Sequence, residues 1–131
     1  MRRPLVAGNW NLNGSRSTIA SLLQALCDGR SSAAGTDIMV CPPFVYLAEI
    51  HGLLADAGIL LGAQSVSAEQ SGAFTGEVAA SMLREVGCSH AIVGHSERRS
   101  LYAESDDMVA RKFRSVLEGG LWPILCVGET L

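Results

Sequence analysis

Two polar loops in this sequence each follow a short apolar run of the kind that forms buried strands. One run leads into Asn9 and Asn11, and the other leads into His95 and Glu97. In parallel α/β folds the loops after the strands converge at one end of the sheet, where helix starts present free N–H groups to a ligand. The sequence therefore predicts a candidate polar cluster that can hydrogen-bond a small polar ligand, but the cluster alone does not identify a reaction.

The surroundings of His95 point to a more specific chemistry. Ser-Glu-Arg-Arg at 96–99 follows it and can open a short helical turn. A ring that faces the N–H groups of a helix start is pushed toward its neutral form, because the positive end of the helix dipole disfavours imidazolium. A neutral imidazole can donate a hydrogen bond to a carbonyl oxygen. The alternative is a histidine that only caps the loop.

The other polar residues also have ordinary structural interpretations. An asparagine just after a strand is often a turn former, since its side chain can bond its own backbone, and this applies to Asn9 and to Asn11. Glu97 can be a solvated residue that the dipole of a helix start stabilises.

Five short apolar runs alternate with stretches of helical period. Each run is too short and too continuously apolar for a one-sided antiparallel strand, so both faces are expected to be covered. The runs lie at 5–8, 37–41, 59–63, 90–93 and 121–127. The alternation predicts right-handed βαβ crossovers and a parallel sheet.

Four amphipathic helices are predicted between the strands, because apolar residues recur there at spacings of three and four. The four stripes are Ile19, Leu22, Leu23 and Leu26; Ile50, Leu53, Leu54 and Ala57; Ala79, Met82, Leu83 and Val86; and Val109, Phe113, Val116 and Leu117. Glycines follow three of the stripes, where a left-handed residue can close a helix. The pattern alone fits either an open doubly wound sheet or a segment of a barrel.

Composition favours one globular domain over residues 1–131, since 48% of the residues are apolar and 18% are charged. A net charge of −3 gives no reason to expect nucleic acid or an anionic membrane as a partner. No apolar run approaches the roughly 20 residues of a membrane-spanning helix, and no signal peptide is evident. We expect a cytoplasmic protein.

The cysteines of the chain are expected to be free thiols, mostly buried in structural roles. Cys27, Cys41, Cys88 and Cys126 form no C-x-x-C pair, and no histidine stands at zinc-ligand spacing. The sequence therefore predicts no metal site.

Three segments together resemble the triosephosphate isomerase family. They are GNWNLNG at 8–14, GHSERR at 94–99 and PILCVGE at 123–129. The resemblance covers the whole chain and implies a TIM (β/α)₈ barrel, of which the chain has about four βα units plus a fifth strand; a full barrel takes about 250 residues. It implies interconversion of dihydroxyacetone phosphate and glyceraldehyde 3-phosphate in glycolysis and gluconeogenesis, with a triose phosphate as substrate and no metal or organic cofactor.

The resemblance also implies roles for individual residues. His95 and Glu97 are the catalytic candidates, and the neutral state of the histidine is a property described for triosephosphate isomerase itself. Asn9 and Asn11 are the substrate-binding candidates. The family pattern has lysine at the position of Asn11, so this chain lacks a cation there, and losing one preorganised donor costs about 10²–10³ in rate.

The long segment 65–77 resembles the family's intersubunit loop, with Ser65 where asparagine is usual. The resemblance implies a homodimer in which Thr75 lies near the partner's first-strand loop and Glu77 pairs with Arg98 of the partner subunit. The alternative is a mobile surface loop, since long glycine-bearing loops are often just that.

The family's base, its lid and most of its phosphate-binding loops come after the fifth strand, and no motif in 1–131 matches them. We therefore expect the chain as given to be inactive or crippled, and we expect self-association, because half a barrel leaves strand edges unpaired. The alternatives are a non-catalytic half-barrel that serves assembly or phosphate binding, and an unrelated sugar-phosphate-binding protein with an open sheet.

Overall fold

A computed structural model describes residues 1–54 and 56–129. Within these residues the chain forms five β-strands and five α-helices. The strands are β1 (Leu5–Asn9), β2 (Asp37–Cys41), β3 (Ile59–Ala63), β4 (His90–Val93) and β5 (Trp122–Leu125). The helices are α1 (Arg16–Gly29), α2 (Leu47–Leu54), α3 (Ala80–Glu85), α4 (Ser96–Leu101) and α5 (Asp106–Glu118). Short 3₁₀ turns lie at Arg30–Ala33 and Phe44–Tyr46.

The strands form one parallel sheet in the order β1-β2-β3-β4-β5. The β1–β2 pair runs from Leu5 opposite Asp37 to Asn9 opposite Cys41. Because all strands point the same way, the loops that follow them leave from a single end of the sheet. That shared end places the polar loops after β1 and β4 on the same side of the molecule.

Helices α1, α2, α3 and α5 pack against one face of the sheet, whereas α4 has no buried residue. The larger core cluster joins helix residues such as Ile19, Leu47 and Val116 to strand residues such as Val40 and Val93. The opposite face carries a smaller cluster without helix residues, formed by Met39, Cys41 and Ile92 with Leu60, Ile124 and Cys126. A doubly wound sheet has helices on both faces, so the arrangement is that of a barrel wall, which decides between the two architectures that the pattern left open.

The sequence located the strands well but misplaced the ends of two. The bounds of β2, β3 and β4 are as predicted, whereas β1 extends one residue further, to Asn9, which still pairs with Cys41. The prediction of a strand over 121–127 was too long. The apolar run is longer than β5 at both ends. The N–H of Leu121 bonds the carbonyl of Val116 and closes α5, so Leu121 belongs to the helix end, and residues 126 and 127 follow the last strand residue, Leu125.

The predicted helices are present, but their apolar stripes are wider than the buried surface. Leu23 and Leu83 are buried in the core, while other stripe members lie half-exposed at the margins. Those margin residues are Leu22, Leu53, Met82 and Leu117. The stripe predicted from Ile50 to Ala57 also crosses residue 55, which lies outside the described residues.

Two capping devices and one glycine set the helix ends that matter here. Ser15 and Thr18 form a reciprocal capping box at the start of α1, and the Ser105 side chain accepts from the Met108 N–H at the start of α5. Gly87 follows α3 with φ of 103°, and a Cβ there would lie 2.2 Å from the Nδ1 atom of His51. The predicted glycine closure is confirmed at this position.

Candidate active site

The loop after β1 is built around an asparagine turn. The backbone N–H of Asn11 donates to Oδ1 of Asn9 at 2.9 Å, the geometry of an Asx turn. Asn11 has φ of 53°, a left-handed conformation that asparagine tolerates better than most residues. The turn-former interpretation of Asn9 therefore holds for its Oδ1 atom, and its amide NH₂ is the group left to donate to a ligand.

Gln64, directly after β3, holds this loop in place, a role that the sequence analysis did not predict. Its Nε2 group donates to the carbonyl of Asn11 at 2.8 Å and to the carbonyl of Cys41 at 2.9 Å. One side-chain amide thus joins the first loop to the end of β2. Its position in the sequence could have indicated this role. Gln64 is a polar residue directly after the buried strand β3, and the candidate residues Asn9 and His95 also lie at or just after the end of a strand.

His95 stands at the start of α4 with its ring turned toward the helix, as expected from the sequence. Its Nδ1 atom accepts a hydrogen bond from the backbone N–H of Glu97 at 3.2 Å. A nitrogen that accepts from an N–H carries a lone pair, so the neutral ring holds its proton on Nε2. The Nε2–H group is then the donor that a carbonyl oxygen would meet.

Glu97 lies beside this ring but is not ion-paired with it. Its Oε2 atom is 3.7 Å from Nδ1 of His95, which has no proton to share because it already accepts the backbone N–H. The Glu97 side chain is 55% exposed, so burial costs it little. Arg98, the next residue along the chain, donates through Nε to Oε1 of Glu104 at 2.7 Å.

That contact belongs to a buried polar group that sequence reasoning missed. Lys112 donates to Oε1 of Glu104 and also reaches Oγ of Ser65 at 3.3 Å. We call Ser65, Arg98, Glu104 and Lys112 the Glu104 cluster. Burial raises the pKa of Glu104, but the hydrogen bonds from Lys112 and Arg98 outweigh it and hold the pKa below its ordinary value of 4.5.

The two polar loops line different clefts. His95 lines a cleft of about 800 Å³ together with Ser96, Cys126 and Glu129, whereas the asparagine turn borders a separate cleft of about 340 Å³. Strands β1 and β4 stand three places apart in the sheet, which is about 14 Å along a flat sheet at about 4.8 Å per strand. The structure therefore places the two loops at the same end of the sheet, where each of them lines a cleft of its own.

Comparisons with known proteins agree with these loops and with the one-sided sheet. The sequence profile of the family described as triosephosphate isomerase matches residues 4–131. The chain belongs to the triosephosphate isomerase family. The triosephosphate isomerases of Dechloromonas aromatica and Thiobacillus denitrificans are 54% and 53% identical to it over 131 residues. In both cases the match covers 100% of this chain and 52% of the relative.

A solved triosephosphate isomerase from Bartonella henselae has the same fold. Its superposition gives a TM-score of 0.92 at 40% identity and covers 98% of this chain and 53% of that structure. The chain spans about half the length of the curated relatives it matches. The predicted membership of the triosephosphate isomerase family and the predicted barrel-type fold are therefore confirmed.

The loop that resembles the family's intersubunit loop has a buried base and an exposed tip. The N–H of Ser67 bonds the carbonyl of Val78 at 2.8 Å and closes the base, and Val66 is buried beside it. Thr75 and Glu77 lie on the exposed part. A closed, buried base with an exposed tip is a geometry suited to a contact with another molecule.

The described part of the chain has no sign of a metal centre or a membrane span. Among residues 1–54 and 56–129, no three His, Cys, Asp or Glu side chains are grouped so that they could hold a metal ion. None of the helices within those residues has both the length and the apolar character needed to cross a bilayer.

Proposed function

We propose that this chain carries the carbonyl-polarising part of a triosephosphate isomerase active site, for the interconversion of dihydroxyacetone phosphate and glyceraldehyde 3-phosphate. The observation that carries the proposal is the hydrogen bond from the Glu97 N–H to Nδ1 of His95 at 3.2 Å. That bond keeps the ring proton on Nε2, so the ring can donate to a substrate carbonyl while negative charge develops on the oxygen. Family membership supplies the reaction in which such a donor is used.

The remaining site residues take supporting roles in this proposal. The NH₂ group of Asn9 orients the substrate oxygen, since its Oδ1 is occupied by the turn. Glu97, next to the imidazole and largely exposed, is placed to exchange protons at the site. Asn11 contributes an uncharged amide where the family has a lysine, and it cannot balance the charge of a phosphate dianion.

We infer that the 131 residues alone turn over triose phosphate slowly or not at all. An uncharged Asn11 removes one preorganised electrostatic group, which costs about 10²–10³ in rate by analogy with oxyanion-hole variants. In this chain His95 and the asparagine turn line different clefts, so the two groups are not yet enclosed around one ligand. Relatives about twice as long have additional chain with which to complete such a site.

The test is isomerase turnover of the 131-residue chain at high concentration, beside a His95→Ala variant purified in the same way. We expect equal rates for the two proteins, which would mean that the 131-residue chain does not catalyse the reaction by itself. Turnover that depends on His95 would support the site and overturn the inference of an inactive chain. A full-length protein that contains this segment should lose turnover on His95→Ala; unchanged turnover there would refute the proposed role.

A second function is favoured by Asn11, an uncharged residue at a position where the family pattern has a lysine. A chain that binds phosphate ligands without turnover, or that serves only for assembly, has no need of the lysine. Titration calorimetry with dihydroxyacetone phosphate separates the alternatives: heat of binding without turnover supports the binding module, and neither binding nor turnover supports the assembly module.

We also propose that the chain forms a cytoplasmic homodimer through the exposed loop of residues 65–77. The proposal is supported by the loop's closed base and exposed tip, and by the partly exposed guanidinium of Arg98, of which only Nε is engaged by Glu104. Glu77 then pairs with Arg98 of the partner subunit, and Thr75 approaches the partner's first loop. Light scattering should give a dimer that Glu77→Lys weakens; a monodisperse monomer at all micromolar concentrations would refute it.

A further inference from the structure

We propose that Arg99 is a positioning residue for His95, a role that rests on the proposed function of the histidine. Arg99 donates through Nε to the carbonyl of Gly94 at 2.7 Å. Gly94 is the residue immediately before His95, so this bond holds the peptide that carries the imidazole. It also ties α4, which contains Arg99, back to the end of β4.

The same guanidinium reaches two further elements. Its Nη1 atom donates to Oδ1 of Asp106 at 2.6 Å in the first turn of α5, and its Nη2 atom lies 3.5 Å from the carbonyl of Cys126, just after β5. A guanidinium presents its donors in one rigid plane, so the directions of these contacts are coupled. Arg99 thereby fixes the end of β4 relative to α5 and β5.

The backbone carbonyls are the important partners in this arrangement. Asp106 is 95% exposed, and an ion pair with so exposed a carboxylate stabilises a fold by little. Arg99 is only 31% exposed and is packed over the strand end. The contribution of Arg99 is therefore geometric: it holds the Gly94 and Cys126 carbonyls in a fixed relation.

The conformation of Gly94 fits this role. Its φ of 72° is left-handed, and a Cβ at this position would lie 2.7 Å from Nη2 of Arg99 and 2.9 Å from Cγ1 of Val109. The guanidinium therefore packs directly on the Gly94 peptide, where no side chain fits between them. A displacement of Arg99 is a displacement of the strand end that precedes His95.

Two contacts together determine where the imidazole points. Arg99 holds the chain at Gly94, and the Glu97 N–H holds the ring at Nδ1. Nε2–H must point at the substrate carbonyl, and a misplacement of about 1 Å costs about 10²-fold in rate. Arg99 contributes to this precision without needing to touch the substrate.

The test uses the whole 131-residue chain with ¹⁵N-labelled histidine, and it reads the imidazole nitrogens by long-range NMR. A His95→Gln variant assigns the signals. The expected parent spectrum has Nδ1 of His95 as an acceptor and the proton on Nε2. Arg99→Met should shift both nitrogen signals toward a mixture of tautomers and speed hydrogen exchange of the Glu97 N–H about tenfold or more.

Arg3→Met is the matched control. Arg3 also pairs with a carboxylate, Asp37, and donates to a carbonyl, that of Ala34, but it lies at the opposite end of the sheet. This variant should leave the His95 signals and the Glu97 exchange rate as they are in the parent. Changes of equal size in both variants would mean a general loss of stability and would overturn the proposal.

Unchanged His95 signals and Glu97 exchange in folded Arg99→Met would also overturn it. If Arg99→Met does not fold, Arg99→Lys decides, because a single ammonium keeps the charge but cannot reproduce the planar contacts. Altered His95 signals in Arg99→Lys support the role, and parent-like signals refute it. Since neither readout needs turnover, unchanged turnover in a full-length His95→Ala protein would refute the proposed role of His95 and leave this measurement intact.

Discussion

Lys112 donates through Nζ to Oε1 of Glu104, and both side chains are more than nine-tenths buried. Arg98 donates to the same oxygen from α4, and Ser65 meets the lysine from the loop after β3. The buried pair thus ties α5 and α4 to the base of the loop proposed to contact a second subunit. A charge pair at this depth is stable only while both partners are present, because a single buried charge is left without compensation.

Replacing the lysine of this pair should destabilise the fold strongly. Lys112→Met keeps the length of the side chain but leaves the Glu104 carboxylate with Arg98 alone, and removing one member of a buried pair typically costs about 3–5 kcal/mol. Urea unfolding measures the change. Arg16→Met, which breaks an exposed pair with Glu49, is the control and should cost less than about 1 kcal/mol. Similar losses in the two variants would mean that burial gives the pair no special weight.

The loss of folding stability at acidic pH should depend on Glu104. Burial raises its pKa, but the hydrogen bonds from Lys112 and Arg98 hold it below the ordinary value of 4.5. Between the folded pKa of Glu104 and its ordinary value of 4.5, the carboxylate binds a proton more readily in the unfolded chain than in the folded one. The free energy of unfolding therefore falls as the pH drops from 4.5 through the folded pKa. Glu104→Gln should be less stable at neutral pH and should flatten this slope. An unchanged slope in urea unfolding at pH 3–5 would contradict the assignment.

Restoring the family lysine at position 11 should lower the stability of the fold and add a positive charge that binds phosphate. Asn11 has φ of 53°, and a left-handed conformation costs an ordinary L-residue about 1–2 kcal/mol, a cost that asparagine partly avoids. Asn11→Lys should therefore lower the free energy of unfolding by about 1 kcal/mol while tightening binding of inorganic phosphate. Urea unfolding and calorimetry measure the two effects.

Two companion variants separate backbone from charge at this position. Asn11→Ala should lose about as much stability as Asn11→Lys without any gain in phosphate binding, and Asn11→Gly should lose least, because glycine adopts this conformation freely. If Asn11→Ala is as stable as the parent, the left-handed turn is not the source of the cost.

The positions of the strands and the His95 turn were predictable because their determinants are local. A continuous apolar run followed by Asn9 or by Gly94 and His95 encodes a buried strand and the loop after it, and the same few residues supply the helix start that the ring faces. The family resemblance rests on those segments. Even there, the pattern could not decide whether Asn9 forms the turn or binds the substrate. In the structure its Oδ1 atom forms the turn, and its NH₂ group is left to donate to a substrate.

The remaining contacts depend on tertiary structure. Lys112 meets Ser65 from 47 positions away, and Gln64 reaches Asn11 across 53. No periodicity links such pairs, since their approach is decided by how α5 and the loop after β3 pack on the sheet. The distance between the His95 cleft and the asparagine turn has the same origin: it follows from the strand order and the curvature of the sheet, not from either loop.

Two glycines offer opposite outcomes for the same substitution. Gly94→Ala places a Cβ in the left-handed region and 2.7 Å from Nη2 of Arg99, so the guanidinium must move off the Gly94 carbonyl. The backbone cost alone is about 1–2 kcal/mol, and the His95 nitrogen signals should shift as in Arg99→Met. Gly52 lies in the last turn of α2 with nothing within 4 Å of the added carbon, so Gly52→Ala should stabilise the chain, by at most about 0.5–1 kcal/mol. Thermal unfolding and the histidine spectrum measure both. A Gly94→Ala protein that is destabilised but has parent-like His95 signals would separate the strain of the turn from the position of the ring and would count against Arg99 as its anchor.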